Sequence, residues 1–161
     1  MEINKDVFIQ QGILDCQIDQ LISFSQTDEE VKKDTSDASR FKDRHSFDQW
    51  LEQGKIIYTL TDKNNNLLGI IWFGQKKPPI ESDTNFTFAI RVYPPARGQG
   101  LSFDFIKFVF DDLLKSKHKS EINGFWLQVS PDNFAAIRTY EKFGFKKVDQ
   151  KNNKIIMVLN I

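Results

Sequence analysis

Apolar positions recur at helical spacing in some stretches, and in short β-rich runs bounded by turn residues in others. Ile13, Leu14, Ile18, Leu21 and Ile22 sit near helical spacing and predict a first helix over about Leu14–Gln26. The next stretch, Thr27–Arg44, is polar and charged and has no continuous apolar stripe. It reads as a loop or a partly helical excursion, and loops of that length are often functional. Ser46-Phe-Asp-Gln49 has the form of a capping box, with Phe47, Trp50 and Leu51 on one face and Gly54 as the stop, which predicts a short second helix.

The pattern then changes period. Lys55–Thr61 and Leu67–Phe73 are β-rich and flank the turn sequence DKNNN, a hairpin signature. After a Pro-containing loop, Asn85–Val92 reads as a strand ended by Pro94-Pro95. Arg97-Gly98-Gln99-Gly100 opens a long helix to about Lys115, whose broad apolar stripe suits burial against a sheet. Phe125–Val129 is a strand. Ser130 as N-cap and Pro131 at the first helical position predict a helix with Ala136, Ile137, Tyr140 and Phe143 inward and Gly144 as its stop. Phe145–Val148 and Lys154–Asn160 are two final strands, and Asp6–Gln10 is a candidate first one. The expected fold is α/β (α+β): one domain over residues 1–161, with a mixed, mostly antiparallel central sheet flanked by helices on both faces.

Composition narrows the function. The 161 residues carry 22 Lys plus Arg against 22 Asp plus Glu, so the basic excess of a general nucleic-acid binder is missing. Fifteen phenylalanines point to an aromatic core. The single cysteine, Cys16, rules out an internal disulfide and suits a reducing compartment. The first residues hold charges and no long apolar run, and no segment approaches a membrane span, so a cytoplasmic protein with no membrane partner is expected.

A scan for chemistry excludes several classes. Two histidines, His45 and His118, and one cysteine make a His/Cys zinc site a poor fit, so no metal is expected. No Walker loop and no G-x-S-x-G elbow occurs, and Gly98-Gln-Gly100 runs on to Phe103, failing G-x-G-x-x-G.

Two stretches carry a mechanism. In the first, a strand leads through a turn into Arg-Gly-x-Gly and a helix. Glycines there let a ligand approach the backbone, and the outward N–H groups and helix dipole favour an anion such as a pyrophosphate. An ordinary turn has the same pattern. In the second, Leu127–Phe145, a strand leads to Asn133 at a helix start, followed by Ala136, Tyr140 and Gly144-Phe145.

Together and in this order, these stretches resemble the GNAT superfamily of acetyl-coenzyme-A-dependent N-acetyltransferases. The family's phosphate loop, [QR]-x-x-G-x-[GA], is matched by Arg97-Gly98-Gln99-Gly100-Leu101-Ser102, with serine in place of the last small residue. The later motif is matched at Asn133, Ala136, Tyr140-Glu141-Lys142, Gly144 and Phe145. The match runs over about Phe86–Val148.

The resemblance implies acetyl-coenzyme A as co-substrate and direct attack by a primary amine on its thioester in a ternary complex. It implies that the strand before the phosphate loop bulges and splays from its neighbour. Ile90, Arg91 and Val92 would then bond the pantetheine arm, and an N–H near Val92 would polarise the thioester carbonyl. Arg97, Gly98, Gln99, Gly100, Leu101 and Ser102 would hold the pyrophosphate. Asn133, Phe134 and Ala136 would lie beside the arm, and Tyr140 would be the general acid for the departing thiolate. The general base is open, with Glu81 and Asp83 the nearest acids to the cofactor strand by sequence. Acids of the 27–44 segment (Asp28, Glu29, Glu30, Asp34, Asp37) could attract a cationic amine, and a solvated loop explains them equally. The acceptor could be a metabolite, an antibiotic, a protein N-terminus or a lysine, and a homodimer is compatible with the sequence. The alternatives are a catalytically silent acyl-coenzyme-A-binding, sensing or protein-interaction module of the same fold, and a structural protein whose Arg-Gly-x-Gly is only a turn.

Overall fold

The computed structural model describes residues 1–4 and 6–161. Eight strands form one sheet in the order β1-β2-β3-β4-β5-β6-β8-β7. They are β1 (Glu2–Asn4), β2 (Val7–Gln11), β3 (Ile56–Asp62), β4 (Leu67–Gln75), β5 (Phe86–Val92), β6 (Gly124–Val129), β7 (Lys146–Lys151) and β8 (Lys154–Asn160). Every neighbouring pair is antiparallel except β5 with β6. The mixed, mostly antiparallel sheet covered on both faces is therefore the fold of this chain. The short β1 was not signalled by any apolar alternation.

Helices α5 (Leu101–Lys115) and α6 (Phe134–Phe143) cover one face. Phe105, Ile106, Val109, Phe110 and Leu113 of α5 are fully or almost fully buried, so the broad stripe packs on the sheet as its width requires. Phe110 is the hub of an aromatic cluster, with ring centroids 4.6 Å from Phe125 and 5.2 Å from Phe73. The other face is covered by α1 (Asp15–Thr27), α2 (Glu29–Asp34), α3 (Asp37–Arg40) and α4 (Arg44–Leu51), over a core of Leu21, Phe41, Phe47, Trp50, Ile70 and Trp72.

A bulge sets which face β4 offers to each core. Thr61 pairs with Leu67 but Leu60 pairs with Gly69, leaving Leu68 as an extra residue. Leu68, Ile71 and Phe73 consequently face α5 and α6, while Leu67, Ile70 and Trp72 face the other helices. Trp72 and Phe73 lie on opposite faces, as alternation demands.

Several local expectations are corrected. Of the two forms expected for the 27–44 segment, the helical one is found, as α2 and α3, while the caps differ. The cap of α4 is Asp43, whose carboxylate accepts the Ser46 N–H at 2.8 Å, so Ser46 is inside the helix and begins no capping box. Ser130-Pro131 does not start α6. Asn133 does, its side chain accepting the Ala136 N–H at 3.2 Å. Asp and Asn satisfy the same orphan donors as Ser. The last hairpin turns through Asn152 and Asn153, both at positive φ, which lengthens β7 to Lys151 beyond the expected Val148.

Candidate functional site

The parallel pair β5–β6 is joined only at Phe86–Phe125 and Thr87–Trp126. Beyond Thr87 the strands part: β5 stays on β4 through Val92, while β6 stays on β8 through Val129. The backbone groups facing this gap follow from register. Lys76 N–H donates to Asn85 O and Tyr93 N–H to Leu68 O, so odd-numbered positions of β5 turn their N–H and C=O towards β4. Ile90 and Val92 turn theirs into the gap. Arg91 gives its backbone groups to β4, and its guanidinium donates to Asp37 and to Ile90 O, so it offers the gap no free backbone group, a correction to the expectation for that residue. Register between β4 and β5 is unbroken from Phe86 to Val92, so the splay arises without the expected bulge.

The gap holds a cavity of about 250 Å³. Ile90, Arg91, Val92, Arg97, Ser102 and Ile106 line one side. Gln128, Val129, Ser130, Asn133, Ala136 and Tyr140 line the other. At its mouth, Gly98 and Gly100 sit at φ of 80° and 72°, a conformation open to glycine at little cost. Gly100 is the N-cap of α5, and no side chain caps that helix. The N–H groups of its first turn thus lack the protein partner that a Ser or Asp cap would give, and they fit an anion. Leu101 contributes backbone only, because its side chain is buried in the core. Phe134 lies outside the cavity lining and is 66% exposed.

Arg97 lines the cavity, yet its guanidinium is committed elsewhere. Nη1 and Nη2 donate to the two carboxylate oxygens of Asp28, Nε lies 3.1 Å from Glu30, and Nη2 also donates to Val92 O at 3.1 Å. Asp28 is also the N-cap of α2. The hydrogen bond to Asp28 raises the Arg97 pKa above its ordinary value. Arg97 therefore ties the glycine loop to α2, a link that residues 69 positions apart do not announce in sequence.

Tyr140 is on the inner face of α6 and is 8% exposed, with Phe88 edge-on at 5.9 Å. Burial pushes its phenol up to about 12, opposed in part by Arg91, so it is a proton-carrying donor at neutral pH. It also lines a second, larger cavity of about 720 Å³. Asp34, Thr35, Arg91, Gln128 and Tyr140 form the wall common to both. Glu81 and Asp83 are exposed and line neither cavity, so sequence proximity misplaced them. Asp34 is the acid common to both linings, and nothing in its charged surroundings marked it out.

The acids of the 27–44 segment are otherwise largely spent. Asp37 is fully buried and holds both Arg91 and Arg40, and Asp28 holds Arg97. Among the described residues, no group of three His, Cys, Asp or Glu side chains is placed to hold a metal ion, and no helix is long and apolar enough to cross a membrane.

The family model for the GNAT acetyltransferases matches residues 19–145. No curated protein matches the sequence. Among solved structures, a candidate acetyltransferase of Acinetobacter baylyi ADP1 superposes with a TM-score of 0.76 at 15% identity, over 100% of this chain and 95% of the other. The ribosomal-protein-S5-alanine acetyltransferase of Vibrio fischeri gives 0.74 at 12% identity, over 99% and 95%. A ribosomal-protein-alanine N-acetyltransferase of Brucella melitensis gives 0.70 at 15% identity, over 96% and 99%. At such identities the likeness is one of fold.

Proposed function

The chain belongs to the GNAT family of acetyltransferases, and on that premise we propose that it transfers an acetyl group from acetyl-coenzyme A to a primary amine, by direct attack in a ternary complex. The observation that carries this reading is the β5–β6 gap, with an uncapped helix start at one end and Tyr140 at a wall shared with a second cavity. Acetyl-coenzyme A would supply the activated thioester. The chain's own groups fit it: the first-turn N–H groups of α5 suit the pyrophosphate, and the inward N–H groups of Ile90 and Val92 suit an extended amide-bearing arm, their carbonyls accepting from Arg91 and Arg97. The Val92 N–H would stabilise negative charge developing on the carbonyl oxygen. Tyr140 would give its proton to the leaving sulfur.

The amine must attack as a neutral base, and a lysine-like amine near pKa 10.4 is almost wholly protonated at neutral pH. Asp34 stands on the shared wall and would take that proton, directly or through water. Arg91 on the same wall disfavours a second positive charge and so favours the neutral amine. Cys16 is free and exposed, which fits a reducing, cytoplasmic setting.

The test is thiol release from acetyl-coenzyme A across a panel of amines, with calorimetry for coenzyme binding. Acceptor-dependent release that weakens sharply in Tyr140→Phe supports the transferase. Coenzyme binding without release from any amine supports the silent binding module. Absence of coenzyme binding overturns the assignment.

A further inference from the structure

The second cavity carries a charge pattern that bears on the acceptor. Its lining holds six cationic side chains, Lys33, Arg40, Lys55, Lys76, Arg91 and Lys154. Asp34 is the acid in the lining. Asp37 beneath it offsets one arginine, and Asp132 lies 3.6 Å from Lys33 at the rim. A surplus of three positive charges survives these partners.

The cations are not equivalent. Lys154 donates to Ser130 Oγ at 2.6 Å and to Asp34 O at 3.3 Å, so it has partners. Arg40 and Arg91 are anchored on Asp37. Lys55 and Lys76 have no carboxylate within 4.0 Å among the described residues. Burial lowers the Lys55 pKa, and the charges of Arg40 and Lys76 lower it further. Both line the second cavity, and two cations that face one cavity without a counterion favour an anion there. Neither lines the first cavity, whereas Asp34 and Tyr140 line both. The second cavity is therefore polarised, with an acid and the phenol at the shared wall and unpaired ammonium groups away from it.

We propose that the acceptor is a small zwitterionic amine, its amino group placed at the Asp34–Tyr140 wall and a carboxylate or phosphate held by Lys55 and Lys76. This rests on the transferase reading and narrows it. Of the 27–44 acids that could attract a cationic amine, this leaves Asp34 for that role, because Asp28 and Asp37 are already paired with arginines. Trp50, Trp72 and Trp126 supply the apolar walls between the two ends. Lys55 Nζ lies 6.0 Å from the Trp50 ring centroid, and Trp126 Nε1 donates to the backbone O of Lys76 at 2.7 Å, which fixes the chain at Lys76 beside that indole.

Those indoles are the chain's three tryptophans, so intrinsic fluorescence reports on this cavity. With coenzyme A present, the full chain is titrated with 4-aminobutyrate, 2-aminoethyl phosphate, butylamine and 1,4-diaminobutane. An anionic amine is expected to bind at least about tenfold more tightly than the diamine, the worth of one charge-assisted hydrogen bond. Whichever of the two anionic probes is tighter identifies the carboxylate or phosphate. In Lys55→Glu/Lys76→Glu the order reverses, with coenzyme A affinity as the control for folding. Equal or tighter binding of the diamine to the unaltered protein overturns the proposal. So does an unchanged order in the variant, or no response to either anionic amine up to about 1 mM. Thiol release run in parallel separates the two readings. Release that is best with the diamine keeps the transferase and removes this acceptor class. Anionic binding without release from any amine removes the transferase and leaves the anion site standing.

Discussion

Arg91 Nε donates to Asp37 Oδ2 at 2.6 Å and Arg91 Nη2 to Asp37 Oδ1 at 3.0 Å, joining the gap-lining strand to the helical cover 54 residues away in sequence. The same carboxylate takes a hydrogen bond from Arg40. Both guanidinium groups lie against the Trp72 ring, Arg91 at 4.8 Å and Arg40 at 5.7 Å from its centroid. One buried carboxylate thus positions two cations over one aromatic face and leaves the wall between the cavities with fixed charge.

Removing that carboxylate strands the cations. Asp37→Asn keeps the volume but leaves Arg91, only 15% exposed at its side chain, without a counterion. Breaking a buried pair from one side costs about 3–5 kcal/mol. Urea unfolding of the variant is expected to show a loss near the lower figure, since Arg40 is partly solvated. A loss below about 1 kcal/mol, the range of a surface pair, would mean that water already serves both arginines.

Tyr93 presents the opposite case. Its ring stacks on Phe24 at 4.3 Å and its hydroxyl is buried with no hydrogen-bond partner among the described residues. An unpaired buried hydroxyl is destabilising by about 1–3 kcal/mol relative to a partnered one. Tyr93→Phe is expected to raise the melting temperature by about 2–4 °C, the shift that ~1 kcal/mol gives a chain of this size. A drop would reveal a partner, such as a bound water, that this hydroxyl keeps.

Much of the sheet, and the helices that follow Arg97–Gly100 and Asn133, were legible because they rest on local rules. Two β-rich runs around the turn sequence DKNNN located β3 and β4, and the glycines at positions 98 and 100 marked a helix start that the structure leaves uncapped. What could not be read depends on distant pairing. Thr27–Arg44 read as either a loop or a partly helical excursion because a helix of six residues and one of four have no room for a periodic stripe. Asp28 and Asp37 looked like free surface acids, since nothing local shows that Arg97 and Arg91 arrive opposite them. The caps were misassigned because Ser, Asp and Asn are all good caps by type, and the helices start at Asp43 and Asn133 where Ser46 and Ser130 offered the same chemistry.

Gly100 separates backbone from cofactor effects. A Cβ there would meet nothing within 4 Å, so a side chain is strained only through the left-handed φ. That strain is about 1–2 kcal/mol for an ordinary residue and less for asparagine. Gly100→Asn is expected to fold with little loss and bind coenzyme A more weakly, while Gly100→Arg folds and binds none measurable by calorimetry. Coenzyme binding by the arginine variant at full strength would remove the start of α5 from the site.

Tyr140 links the chemistry to a pH effect of definite sign. Its phenol is pushed up to about 12 by burial, against 10.0 for an ordinary tyrosine. Between these values the unfolded chain releases the proton and the folded chain keeps it. Stability is therefore full below pH 10 and falls through the window from 10 to about 12, by up to about 1.4 kcal/mol per pH unit for this one group. Tyr140→Phe removes that component, so the loss of stability on raising pH should be shallower in the variant. Turnover tests the same residue differently. The phenol stays protonated through the working range, so the rate should rise with pH as the amine loses its proton and show no decline from Tyr140 below pH 10. In Tyr140→Phe, kcat should fall about 100-fold or more, the contribution of a positioned general acid, with coenzyme binding retained. Loss of coenzyme binding in step with kcat would make Tyr140 a wall of the gap and leave the proton to water.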